Sequence, residues 1–305
     1  MKALVIVTAC VSAVSTALLA QQKPFRAGID LVHFGVSVVD KQGEPVTGLT
    51  RDDFEIVENG TKQTIRFFAA GEPENAPPLH LGLLLDTSES MADDLKDARA
   101  AAIEFVDRVT PASDVTLVDF DTEVRVARFG PESYARLVER IRGRKADGMT
   151  ALYDAMGVYL QGAQAQDGQK ILVVYTDGGD TTSSLTFQDA LDMLKASDVT
   201  VYAIGYTEHQ SSGSRFMKQR ADLEQFAKLT GGLAVFPGNA KDVDKAFEKI
   251  RKQIAARYAI GYLSSDATAN GAWRNVEIRL LRKDLKGARL RTRTGYYAPY
   301  KPASR

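Results

Sequence analysis

Between Leu79 and Arg257, short apolar runs alternate with amphipathic stretches of helical spacing, and few folds satisfy that pattern. Leu81 to Leu85 is a continuous apolar run that ends in Asp86, and Ile171 to Tyr175 is a second one, ending at Asp177. A run of that kind suits a strand covered on both faces, as in a parallel sheet. After the first run, Ala92 to Val109 reads as a helix, with Leu95, Ala98, Ala102, Phe105, Val106 and Val109 on one face. Val115 to Phe120 is a strand, and Glu123 to Phe129 pairs beside it. Ser133 to Arg142, Ala151 to Ala163, Leu185 to Ala196, Ala221 to Leu229 and Val243 to Arg257 read as helices. Val199 to Ile204 and Leu233 to Phe236 are the remaining strands. Repeated strand–helix alternation predicts the α/β class, with a doubly wound, mostly parallel, Rossmann-like sheet over 79–257.

Strands flank this region on both sides. In 25–71, Val32, Phe34, Val36 and Val38 alternate with other residues, the period of a half-buried strand. Phe54 and Ile56 alternate again, Asn59-Gly60 is a hairpin turn signal, and Ile65 and Phe67 continue beyond it. In 258–299, Tyr258 to Leu263, the segment around Val276, Ile278 and Leu280, and Leu290 to Tyr297 read as strands. Neither small group buries a core comfortably alone. The economical solution pairs them into one β-sandwich that flanks the α/β region or has that region inserted into it. Phe67, Phe68, Trp273, Tyr296 and Tyr297 are expected in the sandwich core. Arg289, Arg291 and Arg293 share one strand face and are expected to be solvated or to protect an edge, the alternative being an anionic contact.

The chain opens with Lys2, then an uncharged run from Ala3 to Ala20 with small residues at its far end. That is the layout of a secretory signal peptide over 1–20, cut after Ala20 or Ala17. The alternatives are an uncleaved membrane anchor, or lipidation at Cys10 through the faint box Val7-Thr8-Ala9-Cys10. Export to the periplasm or the outside follows from the first reading. Cys10 is the only cysteine, so the mature chain has no disulfide to staple it.

Three polar segments fall at predicted strand ends and helix starts, where open α/β sheets place their ligands. They are Asp86-Thr87-Ser88-Glu89-Ser90, Asp147-Gly148-Met149-Thr150 and Thr176-Asp177-Gly178-Gly179-Asp180. Mg²⁺ takes six oxygens and keeps some of its water. Ser88, Ser90 and Thr150 offer neutral hydroxyl oxygens, and Asp86 and Asp177 offer charge, directly or through water. An ion held mostly by hydroxyls is under-neutralised and prefers an outside carboxylate as its last ligand.

At these residues the sequence resembles the von Willebrand factor A family. That family's metal-ion-dependent adhesion site combines Asp-x-Ser-x-Ser with a distant Thr and a distant Asp, here Asp86, Ser88, Ser90, Thr150 and Asp177. The surrounding Gly-x-Thr-Ala-Leu-Tyr-Asp-Ala, here Gly148 to Ala155, is also similar to the family. The flanks resemble a bacterial group of exported A-domain-related proteins, through Val46 to Phe54 and Gly295 to Ala298. The resemblance implies Mg²⁺, with Mn²⁺ or Ca²⁺ as substitutes, and a protein ligand that presents an Asp or Glu carboxylate. It implies no small-molecule cofactor.

Each site residue also has a plain structural reading. Ser88 and Ser90 can cap the helix near Ala92, Thr150 can cap the helix at Ala151, and Asp177-Gly178 can be a turn. Asp180, Thr181 and Ser183 read as loop polarity, and Asp93, Asp94 and Asp97 as favourable charges early in a helix. Lys+Arg and Asp+Glu both number 39, so the chain lacks the basic footprint of a nucleic-acid binder. A phosphatase of the haloacid-dehalogenase type needs an Asp where Ser88 stands. The histidines, His33, His80 and His209, lie near no Gly-x-Ser-x-Gly elbow and form no zinc pattern. The sequence therefore reads as a metal-dependent binding or adhesion module rather than an enzyme. The alternative is a cell-envelope scaffold whose ion only stabilises the fold, and a metal-dependent phosphohydrolase is the more distant one.

Overall fold

The alternating residues near the start form β1 (Val32–Val39), in which Phe34, Val36 and Val38 turn inward. It is followed by β2 (Phe54–Glu58), β3 (Thr61–Gln63) and β4 (Ile65–Ala70). Asn59 and Gly60 both take positive φ, the geometry a tight hairpin between β2 and β3 requires. The computed structural model describes residues 31–71, 77–109, 112–177, 179–206, 213–239 and 242–301, and from Leu31 onward the chain is one compact unit. The expected signal peptide, with its alternatives, and most of the proline-rich linker lie outside the described residues.

The α/β region begins with β5 (Leu79–Asp86) and α1 (Leu95–Arg108), joined through a single 3₁₀ turn at Glu89–Met91. Then come β6 (Ala112–Phe120), β7 (Val124–Phe129), α2 (Tyr134–Gly143), α3 (Leu152–Ala163) and β8 (Gln169–Thr176). The rest is α4 (Phe187–Ala196), β9 (Thr200–Gly205), α5 (Ser214–Thr230), β10 (Ala234–Val235) and α6 (Val243–Ala255). The strands form one sheet in the order β10-β9-β8-β5-β6-β7, parallel throughout except for β7 at the edge. Leu81, Leu83 and Leu85 face α1, α2 and α6 on one side. Leu84, Val118, Leu172 and Val174 face α3, α4 and α5 on the other. The sheet is thus doubly wound, as the two-sided apolar runs predict. Gly82 has a specific task here, because a Cβ at this position would run into the Tyr159 ring and close α3 off from the sheet.

After α6 the chain forms β11 (Tyr258–Tyr262), β12 (Trp273–Leu280), β13 (Arg289–Arg291) and β14 (Gly295–Tyr297). Strands from both ends of the chain interleave. One sheet has the order β13-β1-β11-β4 and the other β14-β12-β2-β3. Their inner faces meet in a core that includes Phe34, Val36, Phe54, Ile56, Tyr258, Ile260 and Val276. At one end of the core, Glu58 is buried and accepts from Tyr262 (2.6 Å), Tyr296 (2.9 Å) and Ser264 (2.5 Å), with Arg274 beside it.

Some expectations change. Leu290 to Tyr297 is two short strands rather than one, and the halves join opposite sheets. The chain turns this corner at Thr292, whose backbone packs so tightly on Gly231 that no side chain fits there. Trp273 and Tyr297 are not core. They stack edge to face on the outer side, with centroids 5.0 Å apart. Phe67 sits against His33 outside the sandwich core. Of the arginine stripe, only Arg289 is exposed. Arg291 and Arg293 turn toward the α/β region, where Arg293 donates to the carbonyls of Ser197 and His33. The helix at Ala221–Leu229 begins earlier, at Ser214. Among the described residues no helix is long and apolar enough to cross a membrane.

Candidate functional site

Because β5 and β8 are adjacent and parallel, Asp86 and Asp177 emerge side by side at their carboxyl ends. The loop that carries Thr150 is tied to the Asp86 loop by two backbone bonds. Glu89 N donates to Gly148 O (3.0 Å) and Asp147 N to Thr87 O (2.9 Å). It is tied to the Asp177 loop by Thr181 N to Thr150 O (2.8 Å) and Thr150 N to Thr181 Oγ1 (2.9 Å). Asp86, Ser88, Ser90, Thr150 and Asp177 therefore lie on three loops stitched to one another at one end of the sheet. The hydroxyls of Ser88 and Ser90 are 3.1 Å apart. Asp86, Ser88, Thr150 and Asp177 are buried, and Ser90 opens to solvent.

Two of the plain structural readings fail. Ser88 precedes the 3₁₀ turn without a side-chain capping bond. The helix after Thr150 has Ala151, not Thr150, at its cap position, again without one. The first-turn amides of α3 are instead served from the Asp177 loop, Tyr153 N by Asp180 Oδ1 (3.2 Å) and Asp154 N by Ser183 Oγ (3.0 Å). Asp180, Thr181 and Ser183 are thus structural partners of the Thr150 segment rather than plain loop polarity. Asp177 does form a turn, since its Oδ1 accepts from Gly179 N (3.1 Å).

Thr176 opens the third polar segment, where the sequence assigns it no role, and its hydroxyl donates to Asp86 Oδ2 (2.5 Å). Its position directly before Asp177 is the signal that points to it. Thr87 holds the Asp86 loop to β6 through Phe120 O (3.0 Å).

The electrostatics are lopsided. Burial, and then the charge of Asp177, push the Asp86 carboxyl up to about 7, against the opposing hydrogen bonds from Ser88 and Thr176. Neither aspartate has an ion-pair partner among the described residues. Asp119, one strand over, takes three arginines instead: Arg125, Arg140 and Arg144. Among the described residues, no group of three or more His, Cys, Asp and Glu gathers as a metal site. The set at this end of the sheet is two carboxylates and hydroxyls, which suits a hard, oxygen-seeking cation.

The family model described as von Willebrand factor type A domain matches residues 80–253, more than half of the chain. The chain belongs to the von Willebrand factor type A family. Its matched region begins within β5 and ends within α6, so it contains all three loops. Solved structures share the fold. A von Willebrand factor type A protein from Catenulispora acidiphila is 14% identical, with a TM-score of 0.51, over 92% of this chain and 76% of that one. The pilus adhesin SpaC from Lactobacillus rhamnosus GG, in an open conformation, is 10% identical, with a TM-score of 0.51, over 83% of this chain and 49% of that one. The PilB minor pilin from Streptococcus sanguinis is 14% identical, with a TM-score of 0.50, over 61% of this chain and 63% of that one. The chain spans about half the length of the adhesin and less than two thirds of the pilin. No curated protein matches it.

Proposed function

We propose that the chain is an exported, metal-dependent protein-binding module of the adhesion type. Asp86, Ser88, Ser90, Thr150 and Asp177 would hold Mg²⁺, or Mn²⁺ or Ca²⁺ in its place. The observation that carries this reading is the buried pair Asp86 and Asp177, whose charge no side chain among the described residues balances. A divalent cation would supply that charge, and where the aspartates act through water the neutral hydroxyls would be its direct ligands. The ion then has affinity to spare for a carboxylate from outside. Ser90 is the exposed member, so an outside ligand would approach from its side. An Asp or Glu of a partner protein is the ligand that fits.

The position of Ser88 argues against phosphoryl transfer through an acid at that place, and we read the chain as a binding protein, not an enzyme. The pilus proteins with the same fold are consistent with a role at the cell surface.

The test is affinity capture by the exported protein in Mg²⁺ buffer, followed by elution with a chelator. The expected result is a partner released by chelation and not captured by Thr150→Ala. Capture that ignores both chelator and substitution would favour a scaffold whose ion only supports the fold. Phosphate-ester turnover lost in Asp86→Ala would favour an enzyme.

A further inference from the structure

A second electrostatic imbalance, of opposite sign, lies far from these loops, where the sandwich meets the α/β region. Arg257 follows α6 and leads into β11. Only 7% of its surface is exposed. Its guanidinium lies against Gly35 of β1, where any side chain would collide with it. One of its amino groups donates to Thr200 Oγ1 of β9, but its buried Nε has no partner. Two residues along β9, on the same face as Thr200, Tyr202 is 1% exposed and its hydroxyl also lacks a partner. Two residues along β1 from Gly35, Ser37 is 4% exposed and its hydroxyl lacks a partner as well. Directly across from Ser37, Arg291 of β13 buries an unpartnered Nη1. Arg257 touches Gly35 of β1 and Thr200 of β9, and Ser37 and Tyr202 lie two residues further along those strands on the same faces, with Arg291 opposite Ser37, which sets the four groups along one seam.

Every one of these orphaned atoms is able to donate a hydrogen bond, and the two guanidinium atoms can do nothing else. The acid that acts on Arg257, Asp198, is exposed and already bonded to Lys170 (2.6 Å). Two guanidinium groups in a mostly buried seam are costly unless something balances them. Burial holds both below their ordinary values, which is the mark of that cost. A water molecule would accept hydrogen bonds here but would leave the charge in place. A small anion among these groups would accept their hydrogen bonds and offset one of the two positive charges.

We propose that Arg257, Arg291, Tyr202 and Ser37 form a buried binding site for a small inorganic monoanion of halide size, such as chloride. The anion locks the sandwich to the α/β region. This site does not depend on the cation site at the other loops.

The test uses the full chain in chelator, so that the cation site is silent, with ionic strength held constant. Thermal melts in chloride, bromide and methanesulfonate are compared, and chloride binding is read directly from the broadening of the chlorine magnetic resonance line. The expected result is a melting temperature several degrees higher in the halides, saturating with concentration, and excess chlorine broadening that bromide competes away. Arg291→Met and the milder Ser37→Ala both reduce these responses. Equal melting temperatures in chloride and methanesulfonate, with no excess broadening, would overturn the proposal. Broadening that persists unchanged in both variants would place the anion elsewhere and overturn it too. Should Arg291→Met not fold, Ser37→Ala and the wild-type competition still decide.

Discussion

Asp86 carries a charge that its surroundings oppose, and this gives a pH signature. Its folded value of about 7 stands above the ordinary 3.8. The folded state therefore holds the proton more tightly than the unfolded chain does. This group's stabilisation is fully present below the unfolded value and is lost as pH rises toward about 7. For the cation-free protein, thermal melts in chelator should fall across that window by a contribution on the order of a few kcal/mol. Asp86→Asn should flatten that part of the slope and raise the melting temperature near neutral pH. A slope identical in wild type and variant would mean that Asp86 is not so strained. Glu58 is the contrasting acid, satisfied by Tyr262, Tyr296, Ser264 and Arg274. Glu58→Ala removes the acceptor of Tyr262, Tyr296 and Ser264 while Arg274 keeps Asp266 (3.4 Å), so denaturant unfolding should show a loss of about 1–3 kcal/mol.

The start of α3 shows how one element depends on another. Its first-turn amides are capped by the loop after β8, not by a residue of its own. Asp180→Ala removes the acceptor for Tyr153 N and Ser183 Oγ, and should cost about 1 kcal/mol in chemical unfolding. An unchanged stability would show that the loop is held by other means. The sequence alone places Asp86 and Asp177 at strand ends, because strands buried on both faces write an uninterrupted apolar run that stops where the sheet stops. It does not reveal the cap from Asp180, since the two segments are distant along the chain and any Asp or Ser in a loop reads the same. The corner at Thr292 is hidden for a related reason. Alternation in Leu290 to Tyr297 is the same whether one strand continues or two halves part to different sheets, and tight packing on Gly231 makes the choice. Trp273 and Tyr297 misled because they satisfy each other on the outer face.

At the scale of the molecule, the sandwich cannot form from one end of the chain. β11, from after the α/β region, lies between β1 and β4 from before it. A chain truncated after Arg257 should lose the ordered sandwich, seen as rapid proteolysis of the N-terminal strands, while a full-length chain resists. Resistance equal to full length would contradict this interleaving. The same architecture places the three candidate-site loops at the carboxyl end of the sheet and the arginine seam against the sandwich. Whether those loops hold an ion is best measured by calorimetric titration of Mg²⁺ and Mn²⁺ into metal-free wild type, Asp86→Ala and Thr150→Ala. The account predicts one ion per chain for wild type and a lost or strongly weakened isotherm for both variants. Superimposable isotherms for all three proteins would contradict it.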